Sequence, residues 1–170
     1  MHHPPAAAAA LVPAGMAPAG MAPTAPHDIA GLLGGDEVFA RPLHTTLEAH
    51  EMLLAGLPGQ ALAHLLDSLI VLDRTESLEK AMGISLRTFQ RWKDRPGRPL
   101  SPDQSGRTWK FAEILARATS VFGDRQAAEE WLERPAIGLD QRRPMDLLAT
   151  PAGLQLVEEF LQRLEYGVYA

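Results

Sequence analysis

The sequence predicts an almost wholly α-helical protein, and three observations carry that reading. Apolar residues recur at steps of three and four between Gly and Pro breakers, capping residues stand in front of several of these runs, and no run shows the polar/apolar alternation of a half-buried strand. The chain has 170 residues, 46% hydrophobic and 22% charged, ordinary proportions for a globular protein with one core of usual size or two small ones.

Residues 1–27 are almost entirely Ala, Pro, Gly and Met with His2, His3 and His27. Such a composition buries too little to offset the entropy of ordering, so a disordered tail is expected. Its opening MHHPP lacks the basic region of a secretory signal, and no apolar run is long enough for a bilayer span of roughly 20 residues. A cytoplasmic protein with no membrane association is expected.

From Asp28 to Leu57, the apolar residues Ile29, Leu32, Leu33, Val38, Phe39, Leu47, Met52, Leu53 and Leu54 suggest short helices split by Gly-Gly and Arg-Pro. Between Gln60 and Leu72, Leu62, Leu65, Leu66, Leu69 and Ile70 follow the i, i+3, i+4, i+7, i+8 pattern of an amphipathic helix. A very short helix follows over Thr75 to Met82, and another from Ser85 to about Lys93, ended by the Arg-Pro-Gly-Arg-Pro run at Arg95 to Pro99. Ser101 then caps a helix whose first residue is Pro102 and which stops at Gly123. Asp124 caps the next, bearing Ala127, Ala128, Trp131 and Leu132 and closed by Pro135. The last starts near Thr150, with Leu154, Val157, Leu161, Leu164 and Val168 on one side.

The two short helices around Gly83 fit a helix-turn-helix. Ala81 is small where the helices approach, Gly83 permits a positive φ at the turn, Ile84 fills the space beneath it, and Ser85 caps the second helix. On that helix Leu86, Phe89 and Trp92 form a buried stripe, leaving Arg87, Thr88, Gln90, Arg91 and Lys93 facing out. These are residue types that contact base edges and phosphates. With the N-terminal half of this helix in the major groove, Arg87, Thr88 and Gln90 come nearest the bases and Arg91 and Lys93 nearer the backbone, and the capping Ser85 is counted with them as a DNA-binding residue. The charge distribution agrees: net charge is −5, yet residues 61–110 hold nine basic against six acidic groups, whereas residues 1–60 hold one against five and residues 111–170 six against ten. One module binds DNA weakly, so a homodimer reading half-sites about 34 Å apart is expected.

Little in the chain points to catalysis. It has no cysteine, which removes disulfides, thiolate metal sites and a cysteine nucleophile together. The histidines at 2, 3, 27, 44, 50 and 64 lack metal-site spacing, and no phosphate loop, GxGxxG or GxSxG occurs. No cofactor or metal is expected. The adjacent acids Glu129-Glu130 and Glu158-Glu159 diverge by about 100° on a helix and are expected on solvated faces. Both tyrosines fall in the last five residues, Glu165-Tyr166-Gly167-Val168-Tyr169-Ala170 being the end of the chain. That segment either folds back on its own core or serves as an aromatic plug for a partner.

The segment from Arg98 to Ala170 resembles the toxin-binding domain of the Xre/MbcA/ParS antitoxins. The resemblance lies in Leu-Ser-Pro followed by Ser105, the Ala-Arg-Ala-x-x-Val-Phe-Gly-Asp run at Ala116 to Asp124, Trp131-Leu132, Arg-Pro-x-Asp-Leu-Leu at Arg143 to Leu148, Thr150 with Gly153, and Glu-Tyr-Gly-Val-Tyr at Glu165 to Tyr169. Upstream, Gly-Ile-Ser-x-Arg-Thr-x-x-Arg at Gly83 to Arg91 resembles the family's Xre-like helix-turn-helix. Asp140-Gln141 departs from the pattern, which often has glycines there, and Trp109 and Phe111 are bulkier than the pattern expects.

Composition, helix pattern and the resemblance together divide an all-α chain into three parts: the tail at 1–27, a helical region at 28–98 with the helix-turn-helix at about 60–94, and a toxin-binding domain at 99–170, the resemblance bearing on the last two. The resemblance implies a type II antitoxin that occludes the active site of a RES-domain, NAD-consuming toxin encoded by the adjacent gene and represses its own promoter through operator DNA. Carried over by position, Arg142, Arg143, Leu147, Tyr166, Gly167, Val168 and Tyr169 contact the toxin. The alternative is a helix-turn-helix regulator that acts without a toxin; an enzyme is disfavoured.

Overall fold

Ser101 and Gln104 start the longest helix of the molecule. The computed structural model describes residues 24–72, 76–95 and 97–167. In it the Ser101 hydroxyl accepts from the Gln104 N–H while the Gln104 side chain accepts from the Ser101 N–H, a reciprocal cap that satisfies two otherwise orphaned donors. The helix runs over Pro102–Phe122, about 31 Å, to Gly123 at φ 91°, as the sequence predicts. In chain order the helices are α1 (Pro26–Leu32), α2 (Thr46–Ala55), α3 (Gly59–Asp67), α4 (Glu76–Met82), α5 (Leu86–Lys93), this long α6, α7 (Arg125–Glu133), α8 (Pro144–Leu147) and α9 (Pro151–Glu165). Short 3-10 turns occupy Gly35–Glu37 and Ile137–Leu139. Among the described residues there is no strand, only isolated bridges pairing Pro58 with Pro99 and Ala136 with Arg142. The molecule is all-α.

α6 is buried on several sides. Ser105, Thr108, Trp109, Phe111, Ala112, Ile114, Leu115 and Ala118 are all shielded from solvent, because α1, α2 and α4 pack along it together with α7 and α9. Trp109 and Phe111 thus fill the core. The buried apolar residues, from Ile29 through Leu62, Phe89 and Leu115 to Leu161, form one continuous cluster. α6 is the spine of both the region before it and the region after it.

Two sequence expectations are corrected, and one residue explains both. The helix expected over Gln60 to Leu72 ends at Asp67, and Glu129, expected on a solvated face, is fully buried. Its Oε2 accepts the backbone N–H groups of Ile70, Val71 and Leu72 at 2.8, 2.6 and 3.0 Å. Three charge-assisted bonds outcompete another helical turn for those donors, and Ile70 is left exposed. One turn before Glu129, Arg125 donates to the Ser68 carbonyl and hydroxyl at 3.3 and 3.0 Å. Glu158, also expected to be solvated, is half-buried and accepts from Lys110 at 3.0 Å.

The N-terminal boundary also shifts slightly. α1 takes in Pro26 and His27, which composition alone assigns to the tail; the remainder of that segment, residues 1–23, lies outside the described residues.

Candidate nucleic-acid and partner-binding surfaces

The turn between α4 and α5 is built as its residue types require. Gly83 sits at φ 64°, a conformation that costs any L side chain, and a Cβ there would also press on the Arg107 side chain at 3.0 Å. Ala81 and Ile84 are buried beneath it. Ser85 caps α5 by accepting from the Thr88 N–H at 3.2 Å. Phe89 and Trp92 are buried, and α5 packs on α3.

The outer face of α5 presents Arg87, Gln90 and Arg91, all exposed. Thr88 is half-buried, and its hydroxyl lies 2.9 Å from that of Ser85. Ser85 and Thr88 are thus tied to each other, leaving Arg87, Gln90 and Arg91 as the described side chains of this face that reach outward. The backbone of Lys93 ends α5; its side chain lies outside the described set.

The C-terminal candidates divide into a held group and an open group. The Arg143 guanidinium donates twice to Asp146, from Nε and Nη2, both at 2.9 Å. It also donates to Glu133 at 3.1 Å and to the Ser77 hydroxyl at 3.0 Å. Ser77 in turn donates to Asp146 at 3.2 Å. Arg143 therefore ties α8 to α7 and to α4. The hydrogen bonds and charges of Asp146 first, then of Glu133, raise the Arg143 pKa, and the Arg143 bond holds the Asp146 carboxyl below its usual range. Arg142 is exposed and has no ion pair among the described residues.

Arg142 and Arg143 end a tight loop in which Asp140 and Gln141 adopt φ 52° and 59°. The departure from glycine in the sequence thus leaves two non-glycine residues in left-handed conformation. The Ala136 N–H closes the loop on the Arg142 carbonyl at 3.1 Å.

Leu147 packs half-buried against the core. Its carbonyl lies against Gly153, where an added Cβ would collide with it, so α9 approaches α8 only because residue 153 lacks a side chain. Tyr166 is 46% exposed at the end of α9 and, with Glu159, Gln162 and Arg163, lines a shallow hollow of about 370 Å3. Gly167 follows at φ 65°. Val168 and Tyr169 lie outside the described residues. No hydrogen bond or ring contact joins Tyr166 to Arg142, Arg143 or Leu147 among the described residues, so the structure presents two separate elements rather than one cluster.

Sequence reasoning missed the Glu129 clamp and the Ser77–Asp146 link. A signal for the first was present: Glu129 follows Ala128 and precedes Leu132 by three, which sets it beside the apolar stripe of α7. Reading it as half of an acidic pair hid that placement. Nothing in the sequence pairs Ser77 with a residue 69 positions away. A ladder of half-buried rings was also missed: Phe122 lies 5.2 Å from Trp131, which stacks on Phe160 at 6.1 Å, with the Arg163 guanidinium 5.6 Å from the Phe160 ring centre.

Comparison with known proteins bears on both surfaces. Residues 48–113 match the antitoxin Xre-like helix-turn-helix domain, which takes in α2 to α5 and the first half of α6. Residues 117–167 match the antitoxin Xre/MbcA/ParS C-terminal toxin-binding domain. Both regions of the chain thus match domains of the Xre/MbcA/ParS-like antitoxins. Among similar proteins, antitoxin Xre of Yersinia enterocolitica is 35% identical over 92 residues, 54% of this chain and 62% of the relative. Antitoxin Xre of Pseudomonas putida is 36% identical over 90 residues, 53% of this chain and 56% of the relative. The chain thus spans roughly three fifths of the length of these curated relatives. Among the described residues, no helix is long and apolar enough to cross a membrane.

Proposed function

We propose that this chain is the antitoxin of a type II toxin–antitoxin pair: it holds a RES-domain, NAD-consuming toxin inactive through its C-terminal region and binds its own operator DNA as a homodimer in the cytoplasm. The observation that carries the reading is the coexistence, on one core, of a capped helix-turn-helix with outward Arg87, Gln90 and Arg91 and of a C-terminal region matching a toxin-binding domain.

The division of labour follows from the chemistry. Arg87 and Gln90 offer the bidentate donors and acceptors that read guanine and adenine edges, and Arg91 and Lys93 supply phosphate contacts. In the C-terminal region Arg142 is a cation with no ion pair among the described residues and Tyr166 an exposed ring, a pairing suited to an acidic-rimmed pocket. Arg143 acts by holding the loop that presents Arg142. Gly167, Val168 and Tyr169 are further toxin contacts in this reading, and Leu147 is a separate one on α8.

The test is NAD consumption by the protein encoded beside this gene, titrated with the full chain. Turnover that falls to zero at a fixed molar ratio is expected. A neighbour whose turnover this chain leaves unchanged would overturn the antitoxin reading and leave a regulator acting without a toxin.

A further inference from the structure

Beyond the outer face of α5, the chain carries a second basic feature that the recognition-helix reading does not use. A cleft of about 660 Å3 opens between the C-terminal half of α5 and the start of α6, with Arg91, Arg95 and Arg98 on its wall and Trp92 and Ser101 within it. All three arginines are exposed, and none has an ion pair among the described residues; Asp94 is the acidic residue on the wall. We propose that Arg95 and Arg98 form a DNA-backbone clamp beside the recognition helix, gripping phosphates of the strand flanking the groove that α5 enters. This rests on the DNA-binding reading given above and deepens it.

Three observations support the clamp. The first is charge complementarity. Between Arg91 and Arg98 the described groups are three arginines and one aspartate, in a chain whose net charge is −5; exposed cationic side chains gathered on one wall of an acidic protein are suited to a polyanion.

The second is continuity. Arg91 stands on the outward face of α5 and also lines the cleft, so one residue joins the proposed base-reading surface to the proposed backbone-gripping one.

The third is preorganisation. The segment carrying the arginines is fastened at several points. The Arg95 N–H donates to the Trp92 carbonyl at 3.0 Å and the Arg98 N–H to the Arg95 carbonyl at 3.1 Å; the Gly59 N–H donates to the Arg98 carbonyl at 3.1 Å and the Leu100 N–H to the Leu57 carbonyl at 2.7 Å. The Pro58–Pro99 bridge adds to this strap. A backbone already fixed against α3 leaves only the arginine side chains to order on binding, which lowers the entropic cost.

The experiment measures binding of the full-length chain to a labelled duplex spanning the region upstream of its own gene, and to a scrambled duplex of equal length, across a salt series. The variants are Arg95→Gln with Arg98→Gln, and Arg95→Lys with Arg98→Lys. For the glutamine pair, affinity is expected to fall on both duplexes by a similar factor, and the slope of log affinity against log salt to shrink by about 2, since each neutralised phosphate contributes roughly 0.9 to that slope. The lysine pair restores the slope, because a point charge suffices for a phosphate. A glutamine pair whose slope equals that of the wild-type chain overturns the clamp while the recognition helix stands. A wild-type chain that binds neither duplex overturns the DNA reading and the clamp with it.

Discussion

The Nη2 of Arg143 and the hydroxyl of Ser77 are hydrogen-bonded at 3.0 Å across 66 residues of sequence, joining the loop that carries two toxin-contact candidates to the first helix of the helix-turn-helix. The bond makes Arg143 and Arg142 unequal despite their adjacency. Truncating Arg143 leaves Asp146, Glu133 and Ser77 without their shared donor, so Arg143→Ala is expected to lower the melting temperature and to weaken toxin binding as a consequence. Arg142→Ala is expected to weaken toxin binding with the melting temperature unchanged. Calorimetric melting of the two variants beside toxin titrations checks this; equal loss of stability in both would refute the distinction.

Glu129 makes a second expectation. Replacing it with alanine removes the shared acceptor of three backbone donors, of which the Leu72 N–H is buried, and a buried group left unsatisfied costs about 1–3 kcal/mol. Glu129→Ala is expected to lower the stability of the chain by at least about 1 kcal/mol. Glu129→Gln keeps an acceptor oxygen and is expected to cost less. Urea denaturation of both variants ranks them, and a glutamine variant no better than alanine would mean the site's shape matters more than its acceptor.

At Gly153 intrinsic preference and packing oppose each other. Alanine is favoured over glycine in a helix by about 1 kcal/mol, yet a Cβ here meets the Leu147 backbone carbonyl, which no rotamer change can relieve. The overpacking penalty of about 1–3 kcal/mol wins. Gly153→Ala is therefore expected to lower the melting temperature. A rise would show that α8 shifts without strain.

The Asp146–Arg143 pair sets a pH dependence. Because the Arg143 hydrogen bond depresses the Asp146 pKa from its ordinary 3.8, the contribution of this carboxylate is fully present above pH 3.8 and disappears as pH falls through the lower folded value. Asp146→Asn should therefore be less stable than the wild-type chain at neutral pH, with the difference closing below pH 3.8. Melting curves from neutral to acid pH test it; a gap that persists unchanged in acid would assign the pair no role.

On α5, Arg87→Ala with Gln90→Ala is expected to erase discrimination between the upstream duplex and a scrambled one, each bidentate base pairing being worth about 1–3 kcal/mol of discrimination. Its salt slope should stay near that of the wild-type chain. Preserved discrimination would mean that another element reads the bases.

Much of the fold was legible in the sequence alone. The caps at Ser85, Ser101 and Asp124, the Gly83 turn and the Gly123 stop depend on residues a few positions apart, which is why local spacing found them. The early end of α3 was not legible. It depends on a carboxylate some 58 residues away whose three bonds override a good amphipathic pattern. At the candidate surfaces, residue type and spacing identified Arg87 and Gln90 as outward-facing, but they could not tell open Arg142 from bound Arg143. That difference is made by Glu133, Asp146 and Ser77, which converge only in the folded chain.

The long helix α6 bears on how proteins of this build can exchange specificity. The Arg95–Pro99 linker looks like a natural seam in the sequence, but Trp109, Phe111 and Leu115, lying beyond it, are packed by helices from before it. A chimaera joined there would pair half of one interior with half of another. Parts from different ancestors would have to be traded together with the helix between them.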